Sequence, residues 1–254
     1  MLLNVTVPVR DGARLLAGNA SRLSAFLQRH WPGQYELVIA ENGSTDGTWE
    51  TAQRLASELS ATRARQLVTA GRGGALRQVW GESRAEVLSY MDVDLSANLE
   101  VFPELVNAIV EQGFDLAVGS RRLRPATTVR GWRREWLSHA HNALTRAMLG
   151  LPIADAQCGF KVIRNSAARV LLPRVRNDRW FFDTELLTRA VRNGFRVTEI
   201  PVKWTENTDS RVRLVRTSLE MLGGIWRLRW GGDNPRNLGA EMAREKGVYD
   251  TAKT

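Results

Sequence analysis

The amino-acid sequence predicts an α/β fold in which a mostly parallel sheet is flanked by helices. Three observations carry this. Short apolar runs alternate with segments of helical spacing through the first 118 residues. Their spacing is that of βαβ crossovers, which build parallel sheets. The chain of 254 residues is 43% hydrophobic and 25% charged, enough for one large α/β domain or two small ones.

The elements follow in order. Leu3–Val9 is an apolar run and the first strand; helical spacing of Leu15, Leu16, Leu23, Phe26 and Leu27 follows. Tyr35–Ala40 is a second strand, closed by the turn sequence ENGSTDGT, and Thr48–Leu59 reads as helix. Ala64–Ala70 is expected as a third strand, Gly71–Gly74 as a glycine-rich turn, and about Ala75 to Arg84 as helix. Val87–Met91 is strand, Phe102–Val110 helix and Asp115–Gly119 strand. The second half is less regular. Arg121–Arg134 reads as a basic loop, Trp136–Leu149 as helix, Phe160–Ile163 as strand and Phe182–Val191 as helix. Phe195–Trp204 is extended and broken by Pro201; Val215–Trp230 is amphipathic. Residues 1–230 are expected to form a single domain with halves 1–118 and 119–230, followed by a polar tail over 231–254.

Composition excludes several classes. Cys158 is the only cysteine, so no disulfide forms within the chain. The opening MLLNVTVPVR lacks a basic n-region and a long apolar h-region, and no 18 apolar residues run together, which points to a cytoplasmic protein without a conventional span. No G-x-x-x-x-G-K-[ST] occurs, and no G-x-G-x-x-G follows the first strand. His30, His139 and His141 form no metal-binding spacing and read as structural. The net charge is +9 and unevenly spread. Residues 1–118 hold 10 arginines against 14 acidic residues, whereas 119–254 hold 26 basic against 13 acidic. A basic half suits nucleic acid, an anionic membrane or a phosphorylated substrate. Nucleic acid is the weakest of these, because no motif of a nucleic-acid-binding module is present.

In a parallel sheet, sites gather where strands end, so the residues after each strand matter most. Pro8-Val9-Arg10-Asp11-Gly12 follows the first. Glu41-Asn42-Gly43-Ser44-Thr45-Asp46-Gly47 follows the second, either as a capped turn or with Glu41 free to accept the ring N–H of a base. Asp92-Val93-Asp94-Leu95-Ser96 follows the fourth. Carboxylates at i and i+2 of a strand share a face and repel unless a cation intervenes. Mg²⁺ takes one or two carboxylates and completes its sphere with phosphate oxygens and water.

Together, Pro8, ENGSTDGT, GRGGALR and DVD resemble the nucleotide-sugar-binding half of inverting family 2 glycosyltransferases with the GT-A fold. The later motifs are DAQCGFK from Asp155, RWFFDTELL from Arg179 and EIPVKWTE from Glu199. They are similar to those of dolichyl-phosphate β-glucosyltransferases and other polyprenyl-phosphate glycosyltransferases. The resemblance covers about residues 3–230. It implies transfer of a hexose, with inversion, from a nucleotide sugar to polyprenyl or dolichyl phosphate; UDP-glucose is the favoured donor and GDP-mannose the alternative. It implies a Mg²⁺ or Mn²⁺ ion held best by Asp94, with Asp92 near the metal or, as a catalytic residue, near the sugar, and Ser96 where relatives supply a further ligand. Pro8, Asp11, Glu41, Arg77 and Arg211 fall to the nucleotide sugar, and Arg121, Arg134 and Ser138 to the acceptor phosphate. Asp155 falls near the anomeric centre, to position sugar or assist the nucleophile. Because a phosphomonoester is largely dianionic at neutral pH, no strong general base is required.

The acceptor's lipid tail requires a bilayer. Val129–Leu149 and Val215–Trp230 set tryptophan and leucine beside arginine, the composition of an interfacial helix. Peripheral attachment to the cytoplasmic face of an anionic membrane is therefore expected, with packing of the same tryptophans in the core or a homo-oligomer as the alternative. A membrane-anchored partner is the other route to the lipid.

Overall fold

The computed structural model describes residues 1–67, 71–124, 126–129, 132–205 and 214–231. The first half runs β1 (Leu3–Val9), α1 (Ala13–His30), β2 (Tyr35–Glu41), α2 (Thr48–Glu58), β3 (Thr62–Gln66), α3 (Arg72–Glu82), β4 (Val87–Met91), α4 (Phe102–Val110) and β5 (Leu116–Ser120). Then come β6 (Thr127–Val129), α5 (Trp132–Leu149), β7 (Phe160–Arg164), α6 (Asn165–Leu171), α7 (Phe182–Arg192), β8 (Val197–Pro201), β9 (Lys203–Thr205) and α8 (Leu214–Trp230).

Seven strands form one sheet in the order β3-β2-β1-β4-β7-β5-β8, parallel throughout except for β7. Every residue of β1, β4 and β5 is buried, as expected for strands covered on both faces, while the edge strands β3 and β8 are mostly half-buried. Pro201 ends β8 at an edge, where a missing N–H breaks no ladder. Helix α4 buries Phe102, Leu105, Val106 and Ile109, one stripe at helical spacing, with Pro103 in its first turn. One buried apolar cluster extends from Leu3 to Trp204, so both halves of the chain contribute to a common core. A smaller cluster of Leu149, Phe181, Met221, Ile225 and Leu228 seats α8.

Four departures from the sequence reading bear on the site. β3 starts at Thr62 rather than Ala64, because its register against β2 begins with Leu37 opposite Thr62. Gly73 and Gly74 are not a turn but the first turn of α3. A Cβ on Gly73 would lie 2.6 Å from the Phe182 Cβ, so the glycine allows α3 to touch the start of α7. The basic loop contains β6, paired in parallel with β9 as a separate two-stranded sheet. Finally, β7 is antiparallel and lies between β4 and β5, with Phe160 opposite Met91. That insertion places the amino end of β7 beside the carboxyl end of β4, which brings the second half of the chain to the D-x-D turn.

Candidate active site

The first two strand-end loops are stapled to each other. Asp11, in the left-handed region at φ 50°, accepts from the Thr45 N–H at 2.9 Å, and its own N–H donates to the Ser44 hydroxyl at 2.9 Å. Asp46 accepts from the Thr48 N–H two residues on at 3.2 Å, which shapes the turn into α2; the N-cap itself is Gly47, without a side-chain cap bond. Glu41 is different. It is 1% exposed; one carboxylate oxygen accepts from the Ser44 N–H, and the other is buried without a partner among the described residues. Pro8 is buried in β1, paired with Ala40.

Asp92, Asp94 and Ser96 line a small hollow of about 10 Å³, room for about one water-sized group, together with Leu95, Gly159 and Trp204. Leu95 holds φ at 47°, a left-handed conformation that costs a non-glycine residue roughly 1–2 kcal/mol. The Asp94 carboxylate accepts from the Ser96 N–H at 3.1 Å, and the Ser96 hydroxyl is buried without a partner among the described residues. Gly159 makes room for Asp92: a Cβ there would lie 1.8 Å from a carboxylate oxygen. Burial pushes the Asp92 carboxyl above the ordinary carboxylate value, Arg72 opposes that, and the neighbouring charges of Asp94 and Asp183 add to it. Among the described residues no group of three or more His, Cys, Asp or Glu could cage a metal alone. Two carboxylates beside an orphaned hydroxyl fit instead an ion completed by substrate phosphate.

The arginine that reaches this turn is Arg72, which sequence reasoning missed in favour of Arg77. Arg72 donates to Asp92 at 3.2 Å and to Asp183, and lies 4.5 Å over the Trp180 ring. Arg77 points to Asp178 and the Val175 carbonyl instead, because five residues along α3 turn it to another face of the helix. Asp183 is fully buried and also accepts from Tyr90 and, at 3.1 Å, pairs with Lys161. Burial works against its charge, but Arg72 and Lys161 more than offset this and hold its carboxyl below the ordinary value. Glu185, two residues on, pairs with Arg189 at 2.8 Å and with Arg227 at 2.6 Å.

Asp155 and Arg121, expected near the anomeric centre and on the acceptor phosphate, are bound to each other. The Arg121 side chain donates to both Asp155 oxygens, at 2.6 and 2.8 Å, and its backbone N–H adds a third bond at 3.1 Å. Burial opposes ionisation of Asp155, yet these bonds and the Arg121 charge hold its carboxyl low. Glu199 of EIPVKWTE fixes the same loop by accepting from the N–H groups of Ala154 and Asp155 at 2.7 and 2.9 Å. The side chains of Arg134 and Ser138 and the whole of Arg211 lie outside the described residues. Cys158 is fully buried, with burial pushing its thiol up to about 12, so it is an inert packing residue. His139 contacts Arg122 at the surface, and His30 packs against Phe26 and Trp31.

Residues 20–172 match the family model described as glycosyl transferase family 2. The glycosyltransferase AglD of Haloferax volcanii is 36% identical over 230 residues, covering 90% of this chain but 37% of that relative's length. The dolichyl-phosphate beta-glucosyltransferase of Saccharomyces cerevisiae is 27% identical, covering 87% of this chain and 72% of that one. The polyprenol monophosphomannose synthase of Mycolicibacterium smegmatis is 35% identical and covers 68% of each. Among solved structures, glucosyl-3-phosphoglycerate synthase from Mycobacterium tuberculosis with Mn²⁺, uridine diphosphate and phosphoglyceric acid superposes with a TM-score of 0.66 at 16% identity. That match covers 90% of this chain and 78% of the other. The fold is GT-A.

Proposed function

The chain belongs to glycosyl transferase family 2, and on that premise we propose that it transfers a hexose, with inversion, from a nucleotide sugar to a polyprenyl phosphate. The observation that carries this reading is the hollow at the end of β4. Two carboxylates and a buried Ser96 hydroxyl follow β4, a buried Glu41 oxygen ends β2 across β1 in the same sheet, and neither that hydroxyl nor that oxygen has a partner among the described residues. The relatives named for lipid-phosphate substrates match over most of the chain and favour that acceptor.

In this reading Asp94, Asp92 and Ser96 hold Mg²⁺ or Mn²⁺, whose charge neutralises the leaving diphosphate. Glu41 accepts a base N–H through its free oxygen, with Pro8 and the Asp11 staple shaping the same end of the site. Arg72 takes the place assigned to Arg77 beside the diphosphate, and Arg211 completes it. Asp155, fully buried and already paired, is a positioning residue rather than a base. That agrees with a nucleophile that arrives as an anion and needs in-line placement rather than proton removal. Arg134 and Ser138, from α5, receive the acceptor phosphate, and Arg121 holds the loop behind them. UDP-glucose is the favoured donor.

Membrane attachment is peripheral in this proposal. None of the described helices is long and apolar enough to cross a bilayer. Helix α8 leaves Leu222, Trp226 and Trp230 exposed, Trp226 at 65%, with Arg229 against the Trp230 ring. This is the makeup of an interfacial helix.

The decisive assay supplies radiolabelled UDP-glucose or GDP-mannose with a polyprenyl phosphate and divalent cation. Label should pass to lipid from one donor, stop on chelation, and fail with Asp94→Ala. Undiminished transfer by that variant in EDTA would overturn the metal assignment, and no transfer from either donor would overturn the activity. Flotation tests the membrane: wild type should rise with anionic liposomes at low salt, and a Trp226→Ala/Arg229→Glu variant should not.

A further inference from the structure

The motif EIPVKWTE contributes more than Glu199. Trp204, on β9, is 8% exposed, and its indole N–H is buried with no hydrogen-bond partner among the described residues. Buried donors are ordinarily satisfied, so an orphan at the wall of a hollow marks the place of a ligand atom. The hollow is the one lined by Asp92, Asp94, Ser96 and Gly159.

The ring is held firmly where it is. The Arg121 guanidinium lies 4.8 Å from its centre, and that guanidinium is itself fixed by Asp155. Its strand is stitched to the segment after the D-x-D turn: the Thr205 N–H donates to the Ser96 carbonyl at 2.9 Å, and the Asn98 N–H to the Lys203 carbonyl at 3.0 Å. The ring that carries the donor is therefore pre-positioned.

We propose that the Trp204 indole N–H is a sugar-binding group that donates to a hydroxyl oxygen of the transferred hexose; this rests on the nucleotide-sugar reading of the site. The chemistry selects a hydroxyl. Two carboxylates and a neutral N–H share the hollow, and a hydroxyl can donate to a carboxylate while accepting from the indole. A phosphate oxygen only accepts, and beside Asp92 and Asp94 it draws on cations, which Trp204 does not supply. Because the ring also stacks on the guanidinium that holds Asp155, sugar recognition and the ordering of the Asp155 loop share one side chain.

The test uses Trp204→Phe, which keeps the stacking ring and removes the N–H, with melting temperature checked against wild type. Binding of UDP-glucose, GDP-mannose and the two free nucleoside diphosphates is measured with divalent cation. The affinity for the transferred nucleotide sugar should fall about tenfold, the size expected for one hydrogen bond, with free diphosphate binding unchanged. A second measurement needs no mutant. With wild-type protein, one monodeoxy sugar nucleotide should lose the same factor, and Trp204→Phe should not discriminate against that analogue. Equal losses for sugar nucleotide and free diphosphate, no loss for either, or undiminished discrimination by the variant would each overturn the assignment. Failure of wild type to bind any nucleotide sugar would overturn the reading of the site, and this assignment with it.

Discussion

Asp92 and Asp155 sit at the two ends of one loop contact, since the Asp92 N–H donates to the Gly159 carbonyl and the Cys158 N–H to the Asp155 carbonyl. Their electrostatic situations are opposite. Asp155 is fully buried and has an arginine almost to itself, with two side-chain bonds and one backbone bond from Arg121. Asp92 keeps 31% of its side chain exposed and shares Arg72 with Asp183, while Asp94 adds a like charge beside it. Burial is the largest influence on both; Arg121 outweighs it at Asp155, and nothing outweighs it at Asp92. The difference teaches where the protein is complete and where it awaits a ligand. A carboxylate that is already neutralised holds structure, and one left short of positive charge is where the proposed function puts its cation.

The comparison can be broken most severely through the residue that shares Arg72. Asp183→Ala removes the common partner of Arg72, Lys161 and Tyr90, leaving a lysine that is 2% exposed without its counter-ion. A loss of about 3–5 kcal/mol is expected from breaking a buried pair on one side. Denaturant midpoints measure it, and a loss below about 1 kcal/mol would show that the cluster is not electrostatically coupled.

Arg121→Met strands Asp155 and should cost roughly 3 kcal/mol. The double variant Arg121→Met/Asp155→Asn should recover most of that loss, because neither charge then remains buried. Additive losses in this cycle would mean that the pair is not the reason for either residue.

Acid should distinguish the two carboxylates more gently. The folded-state carboxyl of Asp155 lies below its ordinary value of 3.8. Its contribution is therefore complete above that value and is lost as pH falls through the lower folded one. Unfolding free energy followed from pH 6 downward should decline on the acid side, and Asp155→Asn should have a shallower decline. Parallel curves would contradict the depressed value.

The smallest stability effect is expected at Asp92. Asp92→Asn relieves an under-neutralised charge, so stability should stay within about 1 kcal/mol of wild type or rise, while cation-dependent binding of nucleotide sugar is lost. A destabilisation as large as that of Arg121→Met would erase the contrast from which this comparison starts.

Much of the architecture was legible from local pattern. Strands β1, β4 and helices α2 and α4 fall within a residue of their expected limits, because fully apolar runs and a one-sided apolar stripe leave little choice of period. The D-x-D turn was legible for the same reason, as two carboxylates closing an apolar strand. Gly71–Gly74 was read as a turn, whereas Gly73 and Gly74 lie in α3, because Gly73 serves close contact with Phe182 rather than chain reversal. Helical phase decides that Arg72 reaches the D-x-D turn while Arg77 meets Asp178, and the helix was expected to begin three residues later than it does.

The sequence by itself therefore determined which segments become strands and helices and which strand end carries paired carboxylates, since periodicity and turn chemistry act over a few residues. Tertiary structure alone decided who neutralises whom. Arg72 meets Asp183 across 111 positions and Arg121 meets Asp155 across 34. Both meetings depend on β7 entering the sheet antiparallel between β4 and β5, and β9 brings Trp204 back to the D-x-D turn through its bridge to Ala97. Sheet order is settled by the burial of whole faces at once, a collective free energy that no local stretch of sequence displays.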